Sequence, residues 1–196
     1  MAMSHRLRLV AFVGTVLSLP TAPAAETHQI DKERSTLTVH VYKSGLFSAL
    51  ADNHIIQAPI ASGSLSDQEP LAVELVVRTS EMKVLDPDMA AAKRAEVQAG
   101  MVSEKVLDIA KYPEVTFSST MVKAAGADKW TVVGRLTIRG ETRMITVPVV
   151  RQGGTYSGSV EIKQRDFGIE PISVAGGTVK VKDQLKIEFD IVVRTN

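Results

Sequence analysis

Three histidines beyond the first 25 residues are the side chains best suited to acid–base or metal chemistry. They are His28, His40 and His54, and their spacing is not that of a metal site. The sequence contains no cysteine, no H-E-x-x-H or G-x-S-x-G motif and no glycine-rich phosphate loop. Zinc ribbons, thiol enzymes and disulfide scaffolds are therefore excluded. No residue cluster indicates catalysis, a metal or a required cofactor.

His54 is the histidine whose neighbours leave two interpretations open. It follows Asp52 and Asn53, which favour a turn, and it precedes an apolar stretch. The ring could support that turn, or it could stand at the mouth of a cavity and contact the head of a ligand. An enzyme that uses Asp52 and His54 at such a mouth is a competing hypothesis. His40, by contrast, alternates with valines and is predicted to face solvent.

One segment has the composition of a helix. Asp86, followed by a proline, can provide an N-cap. Residues 89–99 are rich in helix-forming side chains, and Gly100 can end the helix. Ser103 can then cap a second short helix. The sequence thus predicts a helical insert over about residues 87–108, which in a β-barrel commonly covers one mouth.

Most of the remaining chain alternates apolar and polar residues with a period of two. This pattern is typical of half-buried antiparallel strands, and the enrichment in Val and Thr supports it. Turn signals such as Arg139-Gly140-Glu141 and Gly153-Gly154 separate the runs. We therefore predict an all-β chain of about eight strands in one sandwich or barrel. The predicted strands include residues 27–30, 36–42, 55–65, 71–78, 115–121, 130–139 and 185–194.

The N-terminal segment has the pattern of a secretory signal. Two arginines precede an apolar run over residues 10–19, and the small residues Ala22-Pro23-Ala24 follow. The run is too short to span a bilayer. We expect residues 1–24 to be removed and residues 25–196 to form one domain. The mature protein is then expected in the periplasm or otherwise secreted, with no stable membrane anchor.

The charge balance argues against nucleic acid as a partner. The chain of 196 residues has 23 basic and 22 acidic side chains, a formal charge of +1. Loss of Arg6 and Arg8 with the signal would change this charge to −1. Domains that bind nucleic acid are usually strongly basic, so this class is not expected here.

The apolar composition leaves two interpretations of the interior. Hydrophobic residues make up 44% of the chain, but aromatic residues only 5%. A barrel of about eight strands is just wide enough for packed side chains or for one ligand. A filled core and a hollow apolar cavity both fit, and slim aliphatic side chains leave more room for the cavity.

Four short segments form a set, in order along the chain. Asp31 followed by Ser35 is the first, and residues 111–119 (KYPEVTFSS) are the second. Residues 136–142 (LTIRGET) and residues 165–169 (RDFGI) are the third and fourth. In sequence, order and spacing these segments resemble those of the YceI-like family, across nearly all of the mature chain.

The resemblance implies a single, exported, lipocalin-like antiparallel β-barrel with an elongated apolar lumen and a helical element near one end. Characterised members bind polyisoprenoid chains, such as a quinone tail or an isoprenyl phosphate, and no catalysis is generally attributed to the lumen. The expected function is lipid binding for storage, transport or stress protection, without enzymatic activity. A ligand-free structural or stress protein is the alternative. The edge strands also permit a homodimer.

Inward positions of the strands and of the insert supply candidate contacts for such a ligand. His54 is the candidate contact for the head of the ligand. Met101, with Val106 and Leu107, would form a lid from the helical insert. Phe167 follows a charged pair and precedes a glycine, which makes it the first candidate for substitution. The candidates along the tail are Val39, Val41, Phe47, Phe117, Leu136, Ile138, Phe167, Phe189 and Ile191.

Overall fold

The chain folds mainly into β-strands. In a computed structural model, the residues described are 27–44, 53–66, 68–69, 71–174 and 179–194. They include one helix, α1 (Ala91–Val102), and 3₁₀ turns at Thr79–Glu81 and Gln164–Phe167. The strands among these residues are β1 (Thr27–Gln29), β2 (Thr36–Ser44), β3 (His54–Gln57), β4 (Ile60–Ser66), β5 (Ala72–Arg78), β6 (Lys83–Val84), β7 (Glu114–Gly126), β8 (Lys129–Ile138), β9 (Glu141–Gln152), β10 (Thr155–Lys163), β11 (Ser173–Val174) and β12 (Val179–Val192).

All of these strands join one antiparallel sheet. Eleven follow in the order β1-β4-β5-β7-β8-β9-β10-β12-β2-β3-β6, and β11 pairs with β12 beside this path. The sheet curls strongly, so that the chain directly after β1, at one end of this order, lies beside the end of β12. Ile30 bridges Val193, and the Arg194 N–H donates to the Gln29 carbonyl at 2.8 Å. The result is a half-barrel with one concave inner face.

The predicted all-β, antiparallel class is confirmed, whereas the number of strands is higher than the predicted eight or so. The stretch over residues 55–65 is two strands, β3 and β4, which Ala58 and Pro59 separate. β6 and β11 have two residues each. Strands this short contain too few residues for a period-two pattern to mark them.

Tight turns set the register of the long strands, as predicted. Between β8 and β9, Arg139 and Gly140 have positive φ angles of 51° and 78°, the backbone of a two-residue hairpin turn. Glycine is needed at the second position for a further reason, because a Cβ there would lie 2.8 Å from the Tyr112 ring. Gly153 and Gly154 form the corresponding turn between β9 and β10.

The predicted helical insert is present, but its helix begins after the predicted cap at Asp86. α1 starts at Ala91, and Ala90 at the N-cap position makes no side-chain capping bond. Asp86 is not a cap because its carboxylate binds β3 instead. The second short helix predicted from Ser103 does not form, since Ser103 is a bend and residues 104–107 are turns. Within the described ranges, no helix is long and apolar enough to cross a membrane.

Apolar side chains of the concave face form two clusters. The larger lies beside the insert and contains Phe167, which is only 1% exposed. The smaller lies beside β1 and contains Tyr156. β8 runs from one cluster to the other, because Trp130 near its start packs on the smaller cluster and Ile138 at its end belongs to the larger.

Candidate ligand cavity

An apolar cavity of about 240 Å³ lies inside the curled sheet, between the two clusters. Trp130 and Ile138, eight positions apart on β8, both line it. At the usual rise of a strand, that separation corresponds to roughly 26 Å. The cavity therefore extends along the strands. No charged side chain of the described residues lines it.

Nine of the side chains predicted to contact a ligand lie on the wall of this cavity. Val106 and Leu107, predicted as lid residues with Met101, line it as well. Phe47 lies outside the described residues. His54 is not part of the wall. The nine are Val39, Val41, Met101, Phe117, Leu136, Ile138, Phe167, Phe189 and Ile191.

Other parts of the wall were not predicted from the sequence. β5 contributes Val73, Leu75 and Val77, whose alternation predicts a strand but does not by itself indicate a cavity. β10 contributes Tyr156 and Ile162 among others. Gly158 interrupts the apolar positions of β10, so this strand lacks a clear period-two signal.

Two polar side chains in the wall are satisfied by the protein itself. The Ser66 hydroxyl donates to the Gln68 carbonyl at 2.8 Å. The Gln164 amide donates to the Lys182 carbonyl at 2.8 Å. These two groups do not need a polar ligand as a partner. Thr116, Trp130 and Tyr156 are the other wall residues whose side chains carry a polar atom.

Two phenylalanine rings of the wall lie directly over glycines of the neighbouring strand. A Cβ on Gly134 would lie 2.5 Å from Cζ of Phe117. A Cβ on Gly158 would lie 2.6 Å from Cζ of Phe189. Each ring thus lies against the sheet, in space that the Cβ of any other residue would occupy. Because the rings lie close to the sheet, more of the interior is left empty.

His54 lies on the same face of the sheet as this wall. It pairs with Val41 across β2 and β3, and side chains of such a pair point to the same side. Its Nδ1 lies 2.7 Å from Oδ2 of Asp86, and the Ile55 N–H donates to Oδ1 of Asp86 at 2.7 Å. The side chain of Asp86 is 4% exposed and that of His54 is 21% exposed. Asp52, the predicted acidic neighbour, lies outside the described residues.

A second histidine–carboxylate pair lies on the outer face. Nε2 of His40 is 2.7 Å from Oε2 of Glu188, and Nζ of Lys186 is 2.6 Å from Oε1 of Glu188. The hydrogen bonds from Lys186 and then from His40 lower the pKa of Glu188 below its usual value. His40 therefore faces outward as predicted, with its ring 25% exposed. Among the described residues, no cluster of three or more His, Asp or Glu side chains could hold a metal ion.

The segments that resemble the YceI-like family mostly meet beside the insert. Arg139 donates through Nη2 to the Glu104 carbonyl at 2.7 Å and through Nη1 to the Gly168 carbonyl. Tyr112 packs over Gly140 of the same hairpin. These contacts join the hairpin, the insert and the second 3₁₀ turn. Their role in the structure is to hold that end of the fold together.

The fold and the cavity define a class: a single curled antiparallel sheet around an uncharged apolar interior. A model of the YceI-like domain matches residues 28–193, and the chain belongs to this family. The resemblance noted in the sequence is thereby confirmed.

Curated relatives agree with this assignment. A UPF0312 protein of Yersinia enterocolitica is 28% identical over 184 residues, which cover 85% of this chain and 88% of the relative. A UPF0312 protein of Yersinia pestis is 27% identical with the same coverage.

Solved structures share the fold at low sequence identity. BcnA of Burkholderia cenocepacia is 20% identical, with a TM-score of 0.60, over 85% of this chain and 99% of BcnA. A polyisoprenoid binding domain from Saccharophagus degradans, implicated in plant cell wall breakdown, is 16% identical, with a TM-score of 0.59. The match covers 88% of this chain and 100% of that domain. At these identities the likeness shows the fold.

Proposed function

We propose that this protein binds an isoprenoid or similar amphipathic chain in the interior of its curled sheet, which works as a lipocalin-like barrel. The observation that carries this proposal is the uncharged apolar wall, which runs from Met101 of the insert to Trp130 near the start of β8. The polyisoprenoid binding domain of Saccharophagus degradans has the same fold and supports this class of ligand. We propose that the bound chain is stored, transported or used in stress protection.

Burial of the chain supplies the free energy of binding. Each CH₂ group removed from water contributes roughly 0.8 kcal/mol, so a few isoprene units give a gross gain of about 10 kcal/mol. Loss of translational and rotational freedom costs several kcal/mol. Micromolar or tighter affinity is the expected result. We propose binding without catalysis, which the membership in the YceI-like family supports.

The tail would contact the nine predicted side chains of the wall, and His54 would lie near the head. A quinone tail and a polyprenyl chain are the candidate ligands. The signal pattern in residues 1–24 supports export to the periplasm or the medium, where the mature protein would act without a membrane anchor. The edge strands β1 and β6 offer a route to a homodimer.

Mass spectrometry of organic extracts tests the proposal. The full chain is purified from the compartment to which its host delivers it, and the extract is searched for isoprenoid lipids. Leu136→Trp adds bulk inside the cavity, whereas Arg135→Trp places the same side chain on the exposed outer face of β8. We expect an isoprenoid lipid with the wild type and with Arg135→Trp, and less of it with Leu136→Trp. Absence of any lipid from all three proteins would contradict the proposal.

A further inference from the structure

We propose that the His54–Asp86 pair is the polar end of the binding site, and that it accepts a hydrogen bond from a hydroxyl group at the end of an apolar chain. The inference rests on the proposed function and adds the chemistry of the head group to it. The ligand class that it names is an isoprenoid alcohol or quinol rather than a hydrocarbon or an ether.

The position of His54 relative to the apolar wall is the first step. His54 pairs with Val41, and Ile56, two residues further along β3, pairs with Val39. Val39, Val41 and Ile56 all line the cavity. His54 therefore continues the same inner face immediately beyond the apolar lining, and its side chain is 21% exposed. A chain that lies along this wall would bring its polar end close to the imidazole.

The partner of the ring decides which chemistry the ring offers. Both oxygens of Asp86 are occupied, one by Nδ1 of His54 and one by the Ile55 N–H, each at 2.7 Å. A carboxylate can only accept, so Nδ1 carries the proton. In the neutral ring Nε2 is then an acceptor. Nε2 has no protein partner among the described residues, which leaves it available to an O–H donor.

Asp86 is held firmly enough to orient the ring. Its side chain is 4% exposed, and its φ angle of 20° is unusual for a residue other than glycine. Its carbonyl accepts from the Met89 N–H at 3.0 Å and from Nη1 of Arg94 at 3.3 Å. The segment before α1 thus fixes the carboxylate, and the carboxylate fixes the tautomer and the orientation of His54.

Two substitutions of His54 test the roles of Nδ1 and Nε2 separately. In His54→Asn the side-chain amide can still donate to Asp86 from a position near Nδ1, but nothing reaches the position of Nε2. In His54→Gln the amide oxygen can take over the acceptor role of Nε2. His40→Asn is the control on the outer face, where Nε2 of His40 lies 2.7 Å from a carboxylate oxygen of Glu188.

The experiment compares geranylgeraniol with its methyl ether, which has the same chain and no hydroxyl proton. Binding to the full chain, exported by its host and stripped of lipid, is followed by the emission of Trp130, the single tryptophan and a wall residue. The measurement is made at about pH 8.5, above the range in which histidine ordinarily titrates. One hydrogen bond predicts an affinity for the alcohol about five- to tenfold higher than for the ether.

We expect this preference in the wild type and in His40→Asn, its loss in His54→Asn, and partial recovery in His54→Gln. The affinity for the ether should differ by less than about twofold among the four proteins. Binding of the ether also shows that each variant is folded. Equal affinities in the wild type, or a preference that persists in His54→Asn, would overturn the inference while leaving chain binding intact. Failure of the wild type to bind either probe would instead contradict the proposed function.

Discussion

The two faces of the sheet have similar polar pairs in very different surroundings. On the outer face, His40 and Glu188 are 2.7 Å apart, with side chains 25% and 44% exposed. On the inner face, His54 and Asp86 are also 2.7 Å apart, but the carboxylate is 4% exposed. The distance alone does not distinguish the pairs. Burial distinguishes them, because the attraction in an exposed pair is screened by water, whereas a buried carboxylate that loses a hydrogen-bond partner destabilises the fold.

The same contrast applies to apolar side chains. Phe167 beside the insert is 1% exposed, whereas Met144 on the outer face of β9 is 57% exposed. The inner face combines close packing with an empty, uncharged space, and the outer face is a solvated surface. Substitutions on the two faces should therefore change the free energy of unfolding by different amounts, even where the side chains are chemically alike.

The largest difference is expected for Phe167→Ala against Met144→Ala. Loss of a fully buried phenylalanine removes apolar burial and leaves a cavity, which lowers the free energy of unfolding by about 3–5 kcal/mol. Met144→Ala should change it by less than about 0.5 kcal/mol. Urea denaturation of the two variants measures both values. Similar values for the two variants would show that the side chains around Phe167 on the inner face are not closely packed.

The next largest effect is expected for Asp86→Ala. This substitution leaves Nδ1 of His54 and the Ile55 N–H without their acceptor inside the protein. Removal of one partner of a buried pair should lower the free energy of unfolding by about 3 kcal/mol. Urea denaturation again gives the value, and Glu188→Ala is the control on the outer face. If the two substitutions destabilise the protein equally, burial does not distinguish the pairs.

A smaller effect is expected for Gly134→Ala. The added Cβ would lie 2.5 Å from the Phe117 ring and 2.7 Å from the Ser118 carbonyl oxygen. Overpacking of this kind costs about 1–3 kcal/mol and should move the ring into the cavity. Gly100→Ala in α1 is the control, because among the described residues no atom outside its chain neighbours and the backbone of its own helix lies within 4 Å of the added Cβ. The free energy of unfolding and the amount of copurified lipid are measured for both variants, and we expect less lipid with Gly134→Ala because the ring then occupies part of the cavity.

A double variant distinguishes the two contacts of the methyl group that Gly134→Ala adds, one with the Phe117 ring and one with the Ser118 carbonyl oxygen. Phe117→Leu provides space for the new methyl group, so Gly134→Ala combined with Phe117→Leu should recover lipid binding. If the double variant binds no more lipid than Gly134→Ala alone, the ring is not the cause of the loss. The contact with the sheet backbone would then account for it.

The sequence predicted the inner face well, because a period of two places alternate residues of a strand on one side. Val39 and Val41 on β2, and Leu136 and Ile138 on β8, were assigned to the interior by this rule and line the cavity. The rule needs several residues in a row. It therefore missed β6 and β11, and it gave no signal on β10, where Gly158 interrupts the pattern.

The polar end of the candidate site could not be predicted in the same way. Asp86 stands 32 positions after His54, and the two meet only because β3 pairs with β6 just before the insert. In sequence, Asp86 followed by proline favours a helix cap, which is a local interaction. The fold overrides it, because the carboxylate is buried where the Ile55 N–H and the His54 ring can both donate to it.

The smallest effect is expected on the outer face, where Glu188 should respond to pH. Lys186 and His40 lower its pKa in the folded protein, so the ionised form is stabilised relative to the unfolded chain. This contribution is present above the ordinary pKa of glutamate and is lost as the pH falls through the lowered value. The Tm of Glu188→Gln should lie slightly below that of the wild type at pH 7, and the difference should disappear in acid, once Glu188 is protonated in the folded protein as well. A difference that persists or grows in acid would show that the exposed pair acts through packing rather than charge.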